Sequence, residues 1–137
     1  MEAEVVPRIS LVQVSVKRTG VMVCWSVGWR IENRGTQPLT ILSVRLPHGQ
    51  FKSEEQHFDP AIILNEREWN VFQIAVRCDE PAGRVTENAF LIFHAAWLGE
   101  PWRIFVRVRV EVGSNGEPKT VVELITTQKI GFSGVTA

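Results

Sequence analysis

One stretch of this chain decides its fold class: Trp102-Arg103-Ile104-Phe105-Val106-Arg107-Val108-Arg109-Val110-Glu111-Val112. Every second residue, beginning with the tryptophan, is apolar, and mostly charged residues stand between them. In a β-strand successive side chains point to opposite faces, so this order gives one buried face and one face towards water. In a helix the same apolar side chains would be spread around the whole circumference. The stretch is therefore predicted to be a strand.

The same alternation recurs along the chain, and turn-forming Gly, Pro and Asn residues separate the alternating runs. Asn115-Gly116 is the strongest of these turn signals, because both residues suit the tight turn of a β-hairpin. Residues 60–68 are compatible with a helical turn, but their pattern is too short to assign one. The predicted strands are 8–17, 21–33, 39–46, 50–58, 67–78, 86–98, 101–113 and 118–127.

Many strands joined by short turns predict an all-β protein, and we expect an immunoglobulin-like antiparallel β-sandwich of about seven or eight strands. The 137 residues fit one domain of the usual size. The expected unit is a single domain over residues 1–137, with loose ends at 1–7 and 131–137.

The composition argues against several classes of partner. Fifteen basic and fifteen acidic residues cancel, so no overall field attracts nucleic acid. No apolar run reaches the roughly 20 residues of a membrane span, and the acidic start does not resemble a secretory signal. The expected location is therefore the cytoplasm, with neither nucleic acid nor a membrane as partner. No cofactor motif is present.

Four segments carry a family resemblance: Trp29-x-Ile31-x-Asn33-x-Gly35, Pro38, Leu64-Asn65-Glu66, and Val71-Phe72-x-Ile74-x-Val76. This order resembles the immunoglobulin-like and fibronectin-type-III-like sandwiches of bacterial proteins over about residues 21–112. The resemblance implies a fold and no particular activity, because sandwiches carry many unrelated functions.

The cysteines and the missing tyrosine depart from the antibody-type subclass. That subclass has a disulfide between the second and sixth strands and a conserved tyrosine. In this chain Cys78 falls on the predicted fifth strand, and there is no Tyr. In the cytoplasm Cys24 and Cys78 are expected to be buried thiols, whereas a secreted protein could bridge them across the sheets.

Two of the five tryptophans are candidate contact residues. Trp69 begins a predicted strand, and Trp97 ends one beside a turn. A tryptophan near a turn can stack on a sugar ring or anchor a protein partner. The alternative is that it caps one end of the core. The other three, Trp25, Trp29 and Trp102, share faces with aliphatic residues and are expected in the core.

The polar face of the strand predicted over residues 101–113 presents a second group of candidates: Arg103, Phe105, Arg107 and Arg109. Arginines around an aromatic ring are typical of sheets that hold phosphates and stack bases. Glu111 follows on the same face, and the whole chain is neutral. A solvated face with cross-strand ion pairs is the alternative.

Residues 48–59 contain the remaining chemistry-bearing side chains. In a strand Glu55, His57 and Asp59 would share a face and could approach a divalent cation, but charged residues are also common on edge strands. Ser53 with His57 and Asp59 is a nominal hydrolase set without the usual nucleophile motif. His94 stands in an apolar run and is expected to be hydrogen-bonded within the fold. No metal site, no cofactor and no catalytic activity are therefore predicted.

These observations predict a non-catalytic protein-interaction or assembly module, with another protein or a second copy as partner. The final hairpin, residues 101–127, would offer an edge on which a strand could be added. A carbohydrate-binding sandwich that uses Trp69 or Trp97 is the second hypothesis. A hydrolase or metal enzyme built on residues 48–59 is the third.

Overall fold

The computed structural model describes residues 4–130, and within them the regular structure is entirely β-strand. No helix in this range could span a membrane. The eight strands are β1 (Ile9–Arg18), β2 (Cys24–Asn33), β3 (Leu39–His48), β4 (Phe51–Leu64), β5 (Trp69–Arg77), β6 (Val85–Trp97), β7 (Glu100–Val112) and β8 (Pro118–Lys129).

Alternating burial explains why these segments are strands. In β7 the apolar set from Trp102 to Val112 is buried and the residues between are partly or fully exposed. The inward side chains of all eight strands meet in one core. Its centre is aromatic: Trp29 stacks on Phe72 at 5.8 Å between ring centroids, and Phe93 meets Phe72 edge-on at 5.8 Å. Trp25, Trp29 and Trp102 are all buried, as the sequence predicts.

The strands form one antiparallel sheet in the order β1-β2-β5-β4-β3-β6-β7-β8. The sheet curls so far that its two end strands, β1 and β8, lie beside each other, which gives a nearly closed, barrel-like shape. The β4–β5 junction is thin, because Lys52 and Arg77 are the only paired positions between these strands. The predicted all-β antiparallel fold is confirmed. The predicted sandwich has two separate sheets, whereas the structure has one nearly closed sheet.

Residues 60–68 form the end of a strand and a tight turn, not a helical turn. β4 continues to Leu64 because Ile62 and Leu64 point into the core while Ile63 points outwards. A turn follows in which Arg67 has a positive φ of 64°. The apolar residues of this short segment have the period of a strand, and its polar end forms the turn.

The start of β2 also differs from the prediction. Residues 21–23 belong to the preceding turn, where Val23 has a positive φ of 54°, and β2 begins at Cys24. Gly28 lies opposite an irregularity between Gln13 and Ser15 of β1. A side chain at position 28 would meet the Ser15 hydroxyl, so the glycine marks the close approach that its place in the strand suggests.

Part of the first segment that was expected to be loose is held against the fold. Pro7 is buried, and the Glu4 carboxylate accepts the backbone N–H of Thr36 at 2.9 and 3.0 Å, whereas Val5 and Val6 are exposed. Residues 1–3 and 131–137 lie outside the described residues.

The Asn33 corner holds the end of β2. The Asn33 side chain is buried and donates to the carbonyls of Gln37 (2.8 Å) and Leu64 (2.9 Å). Its Oδ1 accepts the N–H of Gly35 at 2.8 Å. One asparagine thus satisfies three backbone groups that would otherwise be buried without partners.

Candidate functional site

The two ends of the sheet meet through one side chain. Gln13 of β1 donates from Nε2 to the carbonyl of Pro118 (3.0 Å) on β8. Its Oε1 accepts both the N–H and the hydroxyl of Thr120 at 2.7 Å. The Thr120 hydroxyl in turn accepts the indole N–H of Trp29 at 3.2 Å. We call these four residues the Gln13 clasp: it replaces a backbone ladder between β1 and β8 with side-chain hydrogen bonds.

A groove of about 420 Å³ opens where the clasp joins the two strands. Its apolar lining comes from Val14, Val16 and Val121, and its polar lining includes Glu111 and Lys119. Val14 and Val121 are 49% and 40% exposed, which is high for valines on strands. The junction of the first and last strands therefore presents apolar side chains to solvent.

Beyond the clasp, β8 has a free edge. Between Val121 and Gln128 it is paired with β7 alone within the described chain. The backbone N–H of Ile130 donates to Pro101 at the start of β7 at 2.9 Å. Backbone groups of a strand alternate in direction, so Leu124, Thr126 and Gln128 also face β7. Ile125 and Thr127 consequently direct their N–H and C=O groups away from the sheet.

The predicted arginine stripe lies on the outer face of β7. Arg103 is exposed, and Phe105, Arg107 and Arg109 are partly exposed. Arg109 is paired with Glu111 at 2.9 Å and with Glu123 at 3.4 Å. The pair with Glu111 lies within β7, and the pair with Glu123 of β8 is a cross-strand ion pair of the kind that the solvated-face interpretation describes.

Other members of the stripe lack such partners. The Nε of Arg107 is buried and has no hydrogen-bond partner among residues 4–130. Phe105 lies between Ile92 of β6 and Thr126 of β8. Arg103 is opposite His94 and lines a second groove with it, whereas sequence reasoning treated these two residues separately.

The two candidate tryptophans have different surroundings. Trp69 is 56% exposed on β5, with the Arg30 guanidinium 5.4 Å from its ring centroid. Trp97 is only 4% exposed, and its ring meets Trp102 edge-on at 5.8 Å. Trp97 therefore packs into the core, as a residue that caps the core would, and offers almost no surface to a ligand. Its position beside a turn does not reveal this burial.

The side chains of residues 48–59 that were weighed as metal ligands or as a hydrolase set do not form a cluster. Within residues 4–130 no three His, Cys, Asp or Glu side chains are grouped closely enough to hold a metal ion. The hydroxyl of Ser53 donates to the carbonyl of Glu54 at 3.1 Å. Glu55 instead accepts the hydroxyl of Ser43 at 2.6 Å. This hydrogen bond holds the pKa of Glu55 below its ordinary value of 4.5. Partial desolvation opposes this effect, and the charges of His57, His94 and Arg45 add smaller contributions to it.

The two cysteines are free thiols. Cys78 is buried, and Cys24 is half-buried on the neighbouring strand. Burial raises the pKa of the Cys78 thiol, and the nearby carboxylates of Glu80 and Asp79 raise it further. Because the thiolate is the reactive form, Cys78 is an inert residue of the core.

Comparison with known proteins gives no relative for this chain. No protein-family model matches it, and no curated protein is significantly similar in sequence. The function is therefore inferred from the geometry of the site.

Two features of the site were not found by sequence reasoning. Nothing in the sequence indicates the role of Gln13, because a single polar residue in a strand does not show which other strand its side chain will contact. Arg45 was also missed, although its place beside Leu46 in an apolar run is a cue that one side of β3 faces outwards.

Proposed function

We propose that this chain is a non-catalytic interaction module that binds an extended protein segment along the free edge of β8. The observation that carries the proposal is that, among residues 4–130, β8 pairs with β7 alone from Val121 to Gln128. Such an edge offers unpaired N–H and C=O groups, and an added strand satisfies them.

The groove at the Gln13 clasp supports the same site. Strand addition obtains affinity from the main chain and specificity from pockets that receive alternate side chains. The groove lies at one end of the free edge and is lined by Val14, Val16 and Val121. A partner strand with apolar residues at its end would bury these exposed valines, at roughly 25 cal/mol per Å² of apolar surface.

The β8 edge has few of the features that prevent an edge strand from pairing with another chain. Natural edge strands carry charged residues, proline or bulges that discourage pairing. β8 has a register irregularity opposite Arg107 and Val108, at the residue Glu123. From Leu124 to Gln128 it has no proline and no charged side chain. This uncharged section supports a role in pairing.

A proline at Thr127 tests the proposal. The Thr127 N–H points away from β7, so Thr127→Pro removes a group offered to a partner and leaves the β7–β8 ladder intact. Thr127→Ala is the matched control, because it keeps the N–H. Sedimentation of the purified chain and capture of partners from host lysate are the readouts.

We expect a self-association or a stoichiometric partner that Thr127→Pro abolishes and Thr127→Ala retains. Unchanged binding by the proline variant would exclude the β8 edge as the binding surface. A chain that stays monomeric and captures nothing would also contradict the proposal.

We propose, in addition, that the sheet has the immunoglobulin-like, fibronectin-type-III-like arrangement. In immunoglobulin domains the first, second and fifth strands share one sheet, and the third, sixth and seventh share the other. The order β1-β2-β5 followed by β4-β3-β6-β7-β8, with one paired position at the β4–β5 junction, supports this assignment. An experimental structure with a continuous β4–β5 ladder would contradict it.

Carbohydrate binding at Trp69 is a second candidate, supported by the exposure of this ring on an open strand face. Val12 and Val71, also exposed, flank Arg30 on neighbouring strands. A sugar stacked on Trp69 should change tryptophan emission in a glycan screen, and Trp69→Ala should abolish that change. A response that persists in Trp69→Ala would assign it to another residue.

The two free cysteines support a reducing, cytoplasmic setting for the protein. Labelling of thiols in intact host cells would test this, and a recovered Cys24–Cys78 disulfide would contradict it.

A further inference from the structure

A second groove is lined by residues of β3, β4, β6 and β7 and has a different chemistry. It encloses about 400 Å³. Its charged and titratable lining side chains are Arg45 of β3, Glu55 of β4, His94 of β6 and Arg103 of β7. Ile92 and Ile130 line it beside them. Four strands thus contribute one charged or titratable residue each.

The strand register explains why these residues meet. His94 is opposite Ser43 on one side and opposite Arg103 on the other. Directly opposed residues of neighbouring strands have Cβ atoms about 5 Å apart, so the three form a continuous row. Arg45 is opposite Ile92, which lies two residues before His94 on β6. Arg45 therefore stands in the neighbouring row of side chains and lines the groove from there. The two guanidinium groups therefore flank the His94 strand.

The two arginines of this groove differ from Arg109 on the face of β7. Arg109 is committed to Glu111 and Glu123. Neither Arg45 nor Arg103 has an ion pair or a side-chain hydrogen bond within residues 4–130. A guanidinium presents five N–H donors in a planar fork that matches the oxygens of carboxylate and phosphate. Two such groups on one groove, without an acidic side chain in ion-pair contact, leave their donors for a ligand.

Glu55 gives the groove an acceptor. The Ser43 hydroxyl, itself buried, donates to Glu55 and orients it at the wall. Ser43 cannot act as a nucleophile, because it is 1% exposed and its proton is directed at the carboxylate. Glu55 is ionised at neutral pH, since this hydrogen bond lowers its pKa. The lining is thus suited to binding rather than to bond cleavage.

We infer that this groove binds a small oxyanion, a carboxylate or a phosphate, that also carries an ammonium or hydroxyl group. The oxyanion lies against Arg45 and Arg103, and the donor group lies against Glu55. Ile92 supplies an apolar wall. This ligand site is separate from the β8 edge and does not depend on the proposed strand addition.

The test is a titration of the ¹⁵N-labelled chain followed by amide chemical shifts. The probes are inorganic phosphate, acetate, phosphoethanolamine and β-alanine, which separate phosphate from carboxylate and bare anions from those with an ammonium group. We expect saturable shifts at residues 45, 55, 92–94 and 103 with phosphoethanolamine or β-alanine. The corresponding bare anion should bind more weakly.

Substitutions identify which side chains bind the oxyanion and which binds the ammonium group. Arg45→Gln and Arg103→Gln should each weaken binding by about tenfold, the loss of one charge-assisted hydrogen-bonding group. Arg77→Gln, an exposed arginine on β5, is the matched control and should bind as the unchanged chain does. Glu55→Gln should reduce the preference for the ammonium-bearing probe.

Either of two results would overturn the inference. One is the absence of saturable shifts with all four probes. The other is equal binding by Arg45→Gln, Arg103→Gln and Arg77→Gln, which would show that surface charge alone is responsible. All variants alter partly or fully exposed side chains, and tryptophan emission checks that each is folded.

Discussion

The Asn33 side chain shows at the scale of one residue how the fold is held. It is buried and makes three hydrogen bonds to backbone groups of Gly35, Gln37 and Leu64. The sequence indicates a corner at this point, since Asn33 and Gly35 follow a strand. It does not indicate that the amide reaches Leu64, which is distant in sequence and arrives through β4.

Replacing Asn33 should therefore be costly. Asn33→Ala leaves two carbonyls and one N–H without partners in a buried place, and we expect the free energy of unfolding to fall by about 2–4 kcal/mol. Urea-induced unfolding measures this loss of free energy. Asn70→Ala is the control, because the exposed Asn70 bonds only to the next residue, and its cost should be about 0.5 kcal/mol. Equal losses in the two variants would contradict this description of the corner.

The hydrogen bond from Ser43 to Glu55 predicts a pH dependence. Because the pKa of Glu55 is lower in the fold than in the unfolded chain, the bond stabilises the fold above the ordinary carboxyl range. That stabilisation is lost as the pH falls through the folded pKa. In a ¹³C titration of the Glu55 carboxyl group, Ser43→Ala should raise the midpoint towards its ordinary value. Ser53→Ala, whose hydroxyl bonds to a backbone carbonyl, should leave it unchanged.

At the scale of the element, alternation predicts strands well and side-chain roles poorly. The bounds of β1, β3, β6, β7 and β8 agree with the predicted runs to within a few residues. The sequence left Trp97 open between a surface contact and a cap over the core, because its place beside a turn is compatible with both. In the structure the Trp97 ring contacts Trp102 across the β6–β7 hairpin, and this contact places Trp97 in the core.

The Gln13 clasp gives a prediction about β1 and β8. Gln13→Ala removes the bonds to Pro118 and Thr120 that join the end strands. We expect a loss of about 1–2 kcal/mol in unfolding free energy and faster hydrogen exchange at the Thr120 amide.

Gln73→Ala is the control for the clasp, because Gln73 is exposed and accepts only the hydroxyl of Ser26. It should leave the exchange of Thr120 unchanged. Unchanged exchange at Thr120 in Gln13→Ala would mean that something other than the clasp holds the two strands.

At the scale of the whole molecule, the sheet order could not be derived from the sequence. Local alternation gives strands but not neighbours, and β2 pairs with β5 only through contacts distant in sequence. For the same reason the sequence separated Glu55, His94 and Arg103, which the topology brings to one groove. The edge of the final hairpin was proposed from the sequence, because apolar and polar residues alternate along residues 101–127.

The free edge of β8 is the central claim, and site-resolved amide hydrogen exchange of the monomeric chain, at a concentration below any self-association, tests it most directly. Leu124, Thr126 and Gln128 donate towards β7, whereas Ile125 and Thr127 face outwards. We predict slow exchange at the first three amides and fast exchange at the other two. Uniform protection across residues 124–128 would mean that the edge is already covered, and the proposed binding mode would then be wrong.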